Sequence, residues 1–163
     1  MKFFIHRNTP APKRVISKSV WKSLILELRA RGNKKNESGA FLLGRPGKNE
    51  ITEFICYDEL DPHCYDTKII QFNGNSYRPL WDHCRLHDLT VLADVHTHPF
   101  KGTMQSGLDK EHPMIVERGH LAMIVPFYAQ KNVRSFKGVG FYEYQGDSRW
   151  KTFINPKEAL EFL

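Results

Sequence analysis

The sequence predicts an α+β fold: a single domain over residues 1–163, with a mixed central β-sheet flanked by helices. Two short apolar runs, Glu37–Gly44 (ESGAFLLG) and Glu50–Tyr57, lie either side of a turn, Arg45–Asn49 (RPGKN), and read as a hairpin. Two stretches with helical apolar spacing stand apart from that hairpin and from one another. A further run, Thr90–Val95 (TVLADV), reads as a central strand. Hairpins mixed with separated helices argue for α+β rather than a repeating βα pattern.

With 163 residues, the chain is long enough for one substantial core and too short for two. Hydrophobic residues make up 40% and charged residues 26%, an ordinary soluble composition. The net charge of +6 and pI near 9.3 describe a long-range field suited to an acidic partner or a nucleic acid. The densest basic cluster, Arg29–Lys35 (RARGNKK), reads as a solvated helix end, and no nucleic-acid reader motif accompanies it. Three cysteines, Cys56, Cys64 and Cys84, with no CxxC, argue against a disulfide scaffold and for a reducing cytoplasm. The start, MKFFIHRN, turns charged too soon for a signal peptide, and no apolar run reaches the roughly 20 residues of a membrane span.

In chain order, Lys2–Arg7 reads as an opening strand and Thr9–Lys13 as a Pro-broken loop. A helix over Ser17–Arg31 follows from the stripe Val20, Trp21, Leu24, Ile25 and Leu28, with Ser17 or Ser19 as cap and Gly32 as stop. After the hairpin come a loop, Asp58–Thr67, a strand, Lys68–Asn73, and a helix, Ser76–Asp88, whose inner face carries Tyr77, Leu80, Trp81 and Cys84. Trp21 and Trp81 both read as core. Beyond Thr90–Val95, a short helix begins at Ser106–Glu111, and Leu121–Pro126 and Val139–Tyr144 are strands. Trp150–Ile154 adds an edge strand, and Asn155-Pro156-Lys157-Glu158 has the cap, proline and acid of a helix start.

The chemistry concentrates in Ala93–Asp109 (ADVHTHPFKGTMQSGLD). His96 and His98, two apart on an extended backbone, point to the same side and can reach one metal ion. Alone this is weak, since eight histidines in this chain give a chance HxH about 0.4 times. Requiring Asp109 ten intervening residues beyond His98, and Ser106 two intervening residues before Asp109, lowers the expectation to roughly one in a thousand. Pro99 ends the strand, while Gly102 and Gly107 allow the aspartate a tight return. Two imidazoles and one carboxylate form a three-ligand catalytic zinc set that leaves the fourth tetrahedral position open.

His96-x-His98-Pro99-x6-Ser106-x2-Asp109 resembles the JAMM signature of the JAB/MPN+ zinc metalloproteases, and Glu37-Ser38-Gly39-Ala40-Phe41-Leu42-Leu43-Gly44 resembles that family's upstream glutamate strand. The likeness runs over most of residues 15–145 as an order of elements, with no departure at a signature position. It implies the JAB/MPN, deaminase-like fold and the removal or processing of ubiquitin-like proteins as a zinc isopeptidase or peptidase. Zinc held by His96, His98 and Asp109 would acidify a bound water. Glu37 would take that water's proton and pass it to the leaving amine, and Ser106 would donate to the oxyanion.

The resemblance further implies two segments that grip the substrate, here Asp58–Tyr77 and Phe127–Lys137. In size the chain is similar to bacterial and archaeal members, which often accompany activating and conjugating enzymes (E1-like and E2-like), including in anti-phage operons. Alternatives are a JAB hydrolase of a small amide or sulfur-carrier adduct, and a non-catalytic MPN-type binding module. A zinc deaminase is excluded by the absence of its H-x-E…P-C-x-x-C set. Of the other polar residues, Asp94 is either an orienting partner of a ligand or a strand-end charge. His120 reads as a satisfied structural histidine, His112-Pro113 as the end of the short helix, and His83, His87, His63 and Cys64 as lacking a third ligand for a second metal.

Overall fold

The computed structural model describes residues 11–163. Its elements are β1 (Arg14–Ile16), α1 (Lys18–Gly32), β2 (Gly39–Gly44), β3 (Glu50–Ile51), β4 (Glu53–Cys56), α2 (Tyr57–Leu60), α3 (Tyr77–His87), β5 (Thr90–Thr97), α4 (Gly107–Glu111), β6 (Leu121–Val125), β7 (Gly140–Gly146), β8 (Arg149–Thr152) and β9 (Leu160–Phe162). A six-stranded sheet runs β4-β2-β5-β6-β7-β8. The β5–β6 pair is parallel and the other pairs are antiparallel, so the sheet is mixed, as the sequence predicts.

Alternation along the strands divides the sheet into two faces. Ala40, Leu42, Ala93, Val95, Leu121, Met123 and Val125 face α1, whose Trp21, Leu24, Ile25 and Leu28 are completely buried against them. Ser17 caps α1 by accepting from Val20 N, and Asn33, in the left-handed region at φ 48°, closes it one residue beyond Gly32. On the opposite face, Phe41 and Leu43 pack with Tyr57, Leu80 and Cys84. That second face also carries Asp94 and His96, so it is the one that builds the site.

Several local expectations are corrected. Lys68–Asn73 is not a strand: Lys68 O accepts from Glu37 N, Gln71 N donates to Cys64 O, and Asn73 N donates to the Asp61 carboxylate. With its backbone groups engaged by neighbouring loops, the segment has no ladder to join. The run Glu50–Tyr57 breaks at Thr52 because its two halves serve different sheets, β4 pairing with β2 and β3 with β1. The Asn155 start makes only a single 3-10 turn, Pro156–Glu158, before the chain enters β9. β9 joins a three-stranded parallel sheet, β3-β1-β9, which local pattern did not foretell. Asp58–Thr67 opens inside the short helix α2 instead of a loop. Trp81 is 46% exposed, not core, because Leu80 and Cys84 alone form the buried stripe of α3. The expected opening strand Lys2–Arg7 lies outside the described residues. Among those described, no helix is long and apolar enough to cross a membrane.

One glycine sets how closely the hairpin approaches β5. A Cβ on Gly39 would stand 2.3 Å from the Tyr57 ring and 2.7 Å from Val95 O, a backbone atom that cannot swing aside. Gly39→Ala is therefore expected to push β2 off β5, costing about 1–3 kcal/mol and lowering the melting temperature by roughly 3–10 °C. Thermal unfolding followed by circular dichroism checks it, and an unchanged midpoint contradicts the close approach.

Candidate metal centre

Three elements converge on the site, each for a local reason. β5 carries His96, and His98, one residue past the strand end, extends the parallel ladder by donating its N–H to Val125 O at 2.9 Å. The antiparallel pairing of β2 with β5 sets Gly39 opposite His96, and Thr97 N bonds Ser38 O. Counting two residues outward from that register places Glu37 beside His98. The turn before β2 is fixed by Ser38, which is wholly buried, donates its hydroxyl to Leu28 O of α1 at 2.7 Å, and donates its N–H to Thr97 Oγ1.

The third element is α4. Ser106 Oγ accepts from Asp109 N at 3.1 Å and the Asp109 carboxylate accepts from Ser106 N at 2.7 Å, a reciprocal capping box. The Ser-x-x-Asp spacing thus has a local cause: it is the spacing that starts this helix and rotates its carboxylate toward the histidines. The cap uses an acceptor site on the Ser106 oxygen and leaves its O–H free to donate. The expected conformational freedom of Gly102 and Gly107 is not used, since neither has a positive φ. Gly102 matters instead through its carbonyl, 3.0 Å from His98 Nδ1, which leaves Nε2 directed at the cluster.

The two Nε2 atoms stand 3.3 Å apart, with Asp109 oxygens 3.4 Å from His96 Nε2 and 3.5 Å from His98 Nε2. Donors around a tetrahedral zinc with bonds of about 2.0–2.1 Å are separated by roughly 3.3–3.4 Å, so spacing and donor chemistry both fit that ion. Among the described residues, His96, His98 and Asp109 form the one group of three or more such side chains with converging donor atoms. His83 and His87 have rings 4.6 Å apart, but the third group near them, Glu53, does not close a cluster. His63 pairs with Asp66, and Cys64 is buried as a free thiol.

Charge is distributed unevenly over the site. Burial works against the Asp109 charge, yet hydrogen bonds from His96 and His98 outweigh it and hold this carboxyl far below the usual range. Burial also opposes a charged His98, but Asp109 and the Gly102 carbonyl prevail and raise its pKa above the ordinary 6.5. Glu37 goes the other way: burial raises it, and the neighbouring histidines only partly offset that. One carboxylate is thus fixed as an anion and the other is made more basic.

Glu37, Ser106 and the three cluster residues all line one cavity of about 560 Å³. Also lining it are Ile69, Ile70 and Phe72 from the segment Asp58–Tyr77. The segment Phe127–Lys137 lies differently. Phe127, Tyr128 and Ala129 run consecutively at φ 54°, 51° and 61°, a conformation costing non-glycine residues about 1–2 kcal/mol each. Phe127 N and Tyr128 N bond Phe100 O and His98 O, so this strained turn clamps the chain just after the second histidine.

The sequence leaves Asp94 open between an orienting partner of a ligand and a strand-end charge, and the structure shows neither. Asp94, 3% exposed, meets His120 Nε2 at 2.6 Å and accepts from Tyr57 OH at 3.3 Å. Its partners are therefore His120 and Tyr57, not a histidine of the cluster. Burial, reinforced by Asp94, keeps the Tyr57 phenol protonated as a donor. The available signal was the spacing of Asp94, two before His96 on the same strand face; the partners, 37 and 26 residues away, had none.

No protein-family model matches the sequence. Among solved structures, the chain is similar to a Desulfitobacterium hafniense protein determined in solution, at 12% identity and TM-score 0.66, over 91% of this chain and 92% of that one. It is similar to a JAB1/MPN domain protein from Archaeoglobus fulgidus at 16% identity and TM-score 0.51, over 93% and 98%. A third likeness, at 16% identity and TM-score 0.53 over 93% and 99%, is to a chain solved in work on JAMM, a metalloprotease-like zinc site in the proteasome and signalosome. The chain has the JAB1/MPN fold. On that fold it carries a His-His-Asp cluster whose spacing suits a metal ion.

Protonated imidazoles cannot bind zinc, so metal and proton compete at His98. Because Asp109 raises the His98 pKa, competition starts at a higher pH than for an ordinary imidazole and grows as pH falls, while Asp109 stays ionised throughout. Zinc affinity measured against a chelator is expected to weaken by about ten- to a hundredfold between pH 7.5 and 5.5. An affinity that is flat over that range contradicts the ligand assignment.

Proposed function

We propose that this chain is a zinc-dependent isopeptidase or peptidase that releases a ubiquitin-like protein from a conjugate or trims its precursor. The observation that supports it best is that Glu37 and Ser106 line the same cavity as the metal-spaced triad, so a proton acceptor and a hydroxyl donor flank a three-ligand cluster. The chemistry a zinc ion supplies when held by His96, His98 and Asp109 is acidification of water and polarisation of a carbonyl. Glu37, made more basic by burial, takes the proton of the attacking water and delivers it to the departing amine. Ser106 donates its free O–H to the substrate carbonyl oxygen as that atom gains charge. The amide bond breaks, and the carboxylic acid and amine separate.

The substrate class rests on the signature resemblance and on the two flanking segments. Asp58–Tyr77 supplies a wall of the cavity, and Phe127–Lys137 presents Lys131 and Arg134 to solvent from the turn clamped behind His98. Lys131 Nζ sits 4.3 Å over the Phe127 ring, which positions its charge. A ubiquitin-like protein with an acidic contact surface suits that segment. Activating and conjugating enzymes of the same modification pathway, in a cytoplasmic anti-phage setting, would provide the conjugate.

Glu37→Gln is expected to keep stoichiometric zinc by elemental analysis and to lose about a hundredfold or more in kcat. His96→Ala and Asp109→Ala should instead lose the metal. Full turnover in the Glu37→Gln protein overturns the mechanism. Charge reversal at Lys131 and Arg134 together should raise KM for a ubiquitin-like fusion about tenfold or more, leaving cleavage of a small N-acyl amide unaltered. Equal KM for the fusion in both proteins removes this segment from substrate binding.

A further inference from the structure

The triad occupies only part of its cavity. Tyr57, Ile70, Phe72 and Tyr77 also line it, as do Asp94 and Ala122, register partners on β5 and β6. The aromatic rings pack edge-on or tilted, with centroids 5.5 Å apart for Tyr57 and Phe72 and 5.0 Å for Phe72 and Tyr77. This wall cannot collapse readily, because Tyr77 OH is bonded to Met114 O and Tyr57 OH to Asp94. Among the described residues, no lysine or arginine lines the cavity, although the chain carries 24 of them, and the acidic groups that do are Glu37, Asp94 and Asp109. Away from the metal-spaced cluster, an anionic group is therefore disfavoured. A tail of glycines, having no side chains, would leave most of the volume empty.

Asp94 gives the apolar space a polar end. A carboxylate offers about four acceptor positions, and His120 and Tyr57 take two of them. The remaining capacity suits one more donor, and a donor brought there inside an apolar body matches the lining. Resting on the hydrolase reading above, we propose that this cavity is a specificity pocket for a large aromatic side chain tipped with a hydrogen-bond donor, tyrosine or tryptophan, on a residue flanking the scissile bond. The aromatic body fills the space walled by Tyr57, Phe72 and Tyr77, and its O–H or N–H is accepted by Asp94. The substrate class narrows accordingly, to conjugates or precursors with such a residue beside the bond that is cut.

The zinc-loaded wild-type chain is assayed with internally quenched fluorescent peptides. Each position either side of one bond holds Gly, Leu, Phe, Tyr, Trp or Lys in turn. Tyrosine or tryptophan at one flanking position is expected to raise kcat/KM about ten- to a hundredfold over glycine, the effect of burying an aromatic side chain. Tyrosine is expected to exceed phenylalanine, since only tyrosine satisfies Asp94. Ala122→Leu, which fills the cavity from the sheet without replacing a metal ligand, should lower the tyrosine-to-glycine ratio, with zinc content confirming that the site is intact. Binding of p-cresol and of toluene, followed by amide NMR shifts at Ile70 and Ala122, reads the pocket without catalysis, and p-cresol should saturate at lower concentration. A flat residue preference, a preference for lysine, or p-cresol binding no tighter than toluene overturns the pocket. Saturable p-cresol binding with no peptide cleaved overturns the hydrolase reading and leaves the pocket standing.

Discussion

The pairing of β2 with β5 is the constraint on which the site depends. A ladder has a period of two, so a slip of one residue would turn every side chain of β2 to the other face. Here Gly39 lies opposite His96, and the bonds between Ser38 and Thr97 hold that register at the strand end. Glu37 then emerges on the side of the histidines, while Ser38 turns inward to α1. The bulge between Leu42 and Leu43 falls further along the pair, where a change of register does not reach the cluster. The absence of a Cβ at Gly39 permits the approach, because Tyr57 and Val95 O already occupy that space.

From that placement comes a difference in proton affinity between two acids. Asp109 receives hydrogen bonds from two imidazoles and from the Ser106 backbone, and remains an anion under all ordinary conditions. Glu37 is half-buried without such donors, and burial raises its proton affinity. Environments that drive two carboxylates in opposite directions give similar side chains different proton affinities. The capping box adds rigidity, since the same bonds that start α4 fix the rotation of the Asp109 carboxylate.

The candidate site was legible in unusual detail because its signals are local. HxH on a strand, a proline that ends it and a Ser-x-x-Asp helix start each have a backbone cause within a few residues. Glu37 was legible through its glycine-flanked apolar strand and through resemblance. Asp94 was only half legible: its face followed from spacing, but its partners Tyr57 and His120 arrive from elements brought near by the sheet. The error at Lys68–Asn73 has the same origin. Its apolar pattern suits a strand, but a strand needs a free edge, and those backbone groups bond to Glu37, Cys64 and Asp61 instead.

By itself, the sequence determined the elements whose signals are short-range: the capped helix α1, the hairpin, α3, the histidines at the end of β5, and the S-x-x-D start of α4. Periodicity and capping act between residues one to four apart, so no distant contact is needed to read them. Only the tertiary structure decided that β3 and β9 leave the main sheet to flank β1, that Trp81 faces solvent, and that Glu37 stands beside His98. It also decided that a largely apolar cavity, with Asp94 in its lining, adjoins the His96, His98 and Asp109 cluster. Those outcomes depend on strand order, register and competition for backbone partners, which are settled between segments tens of residues apart.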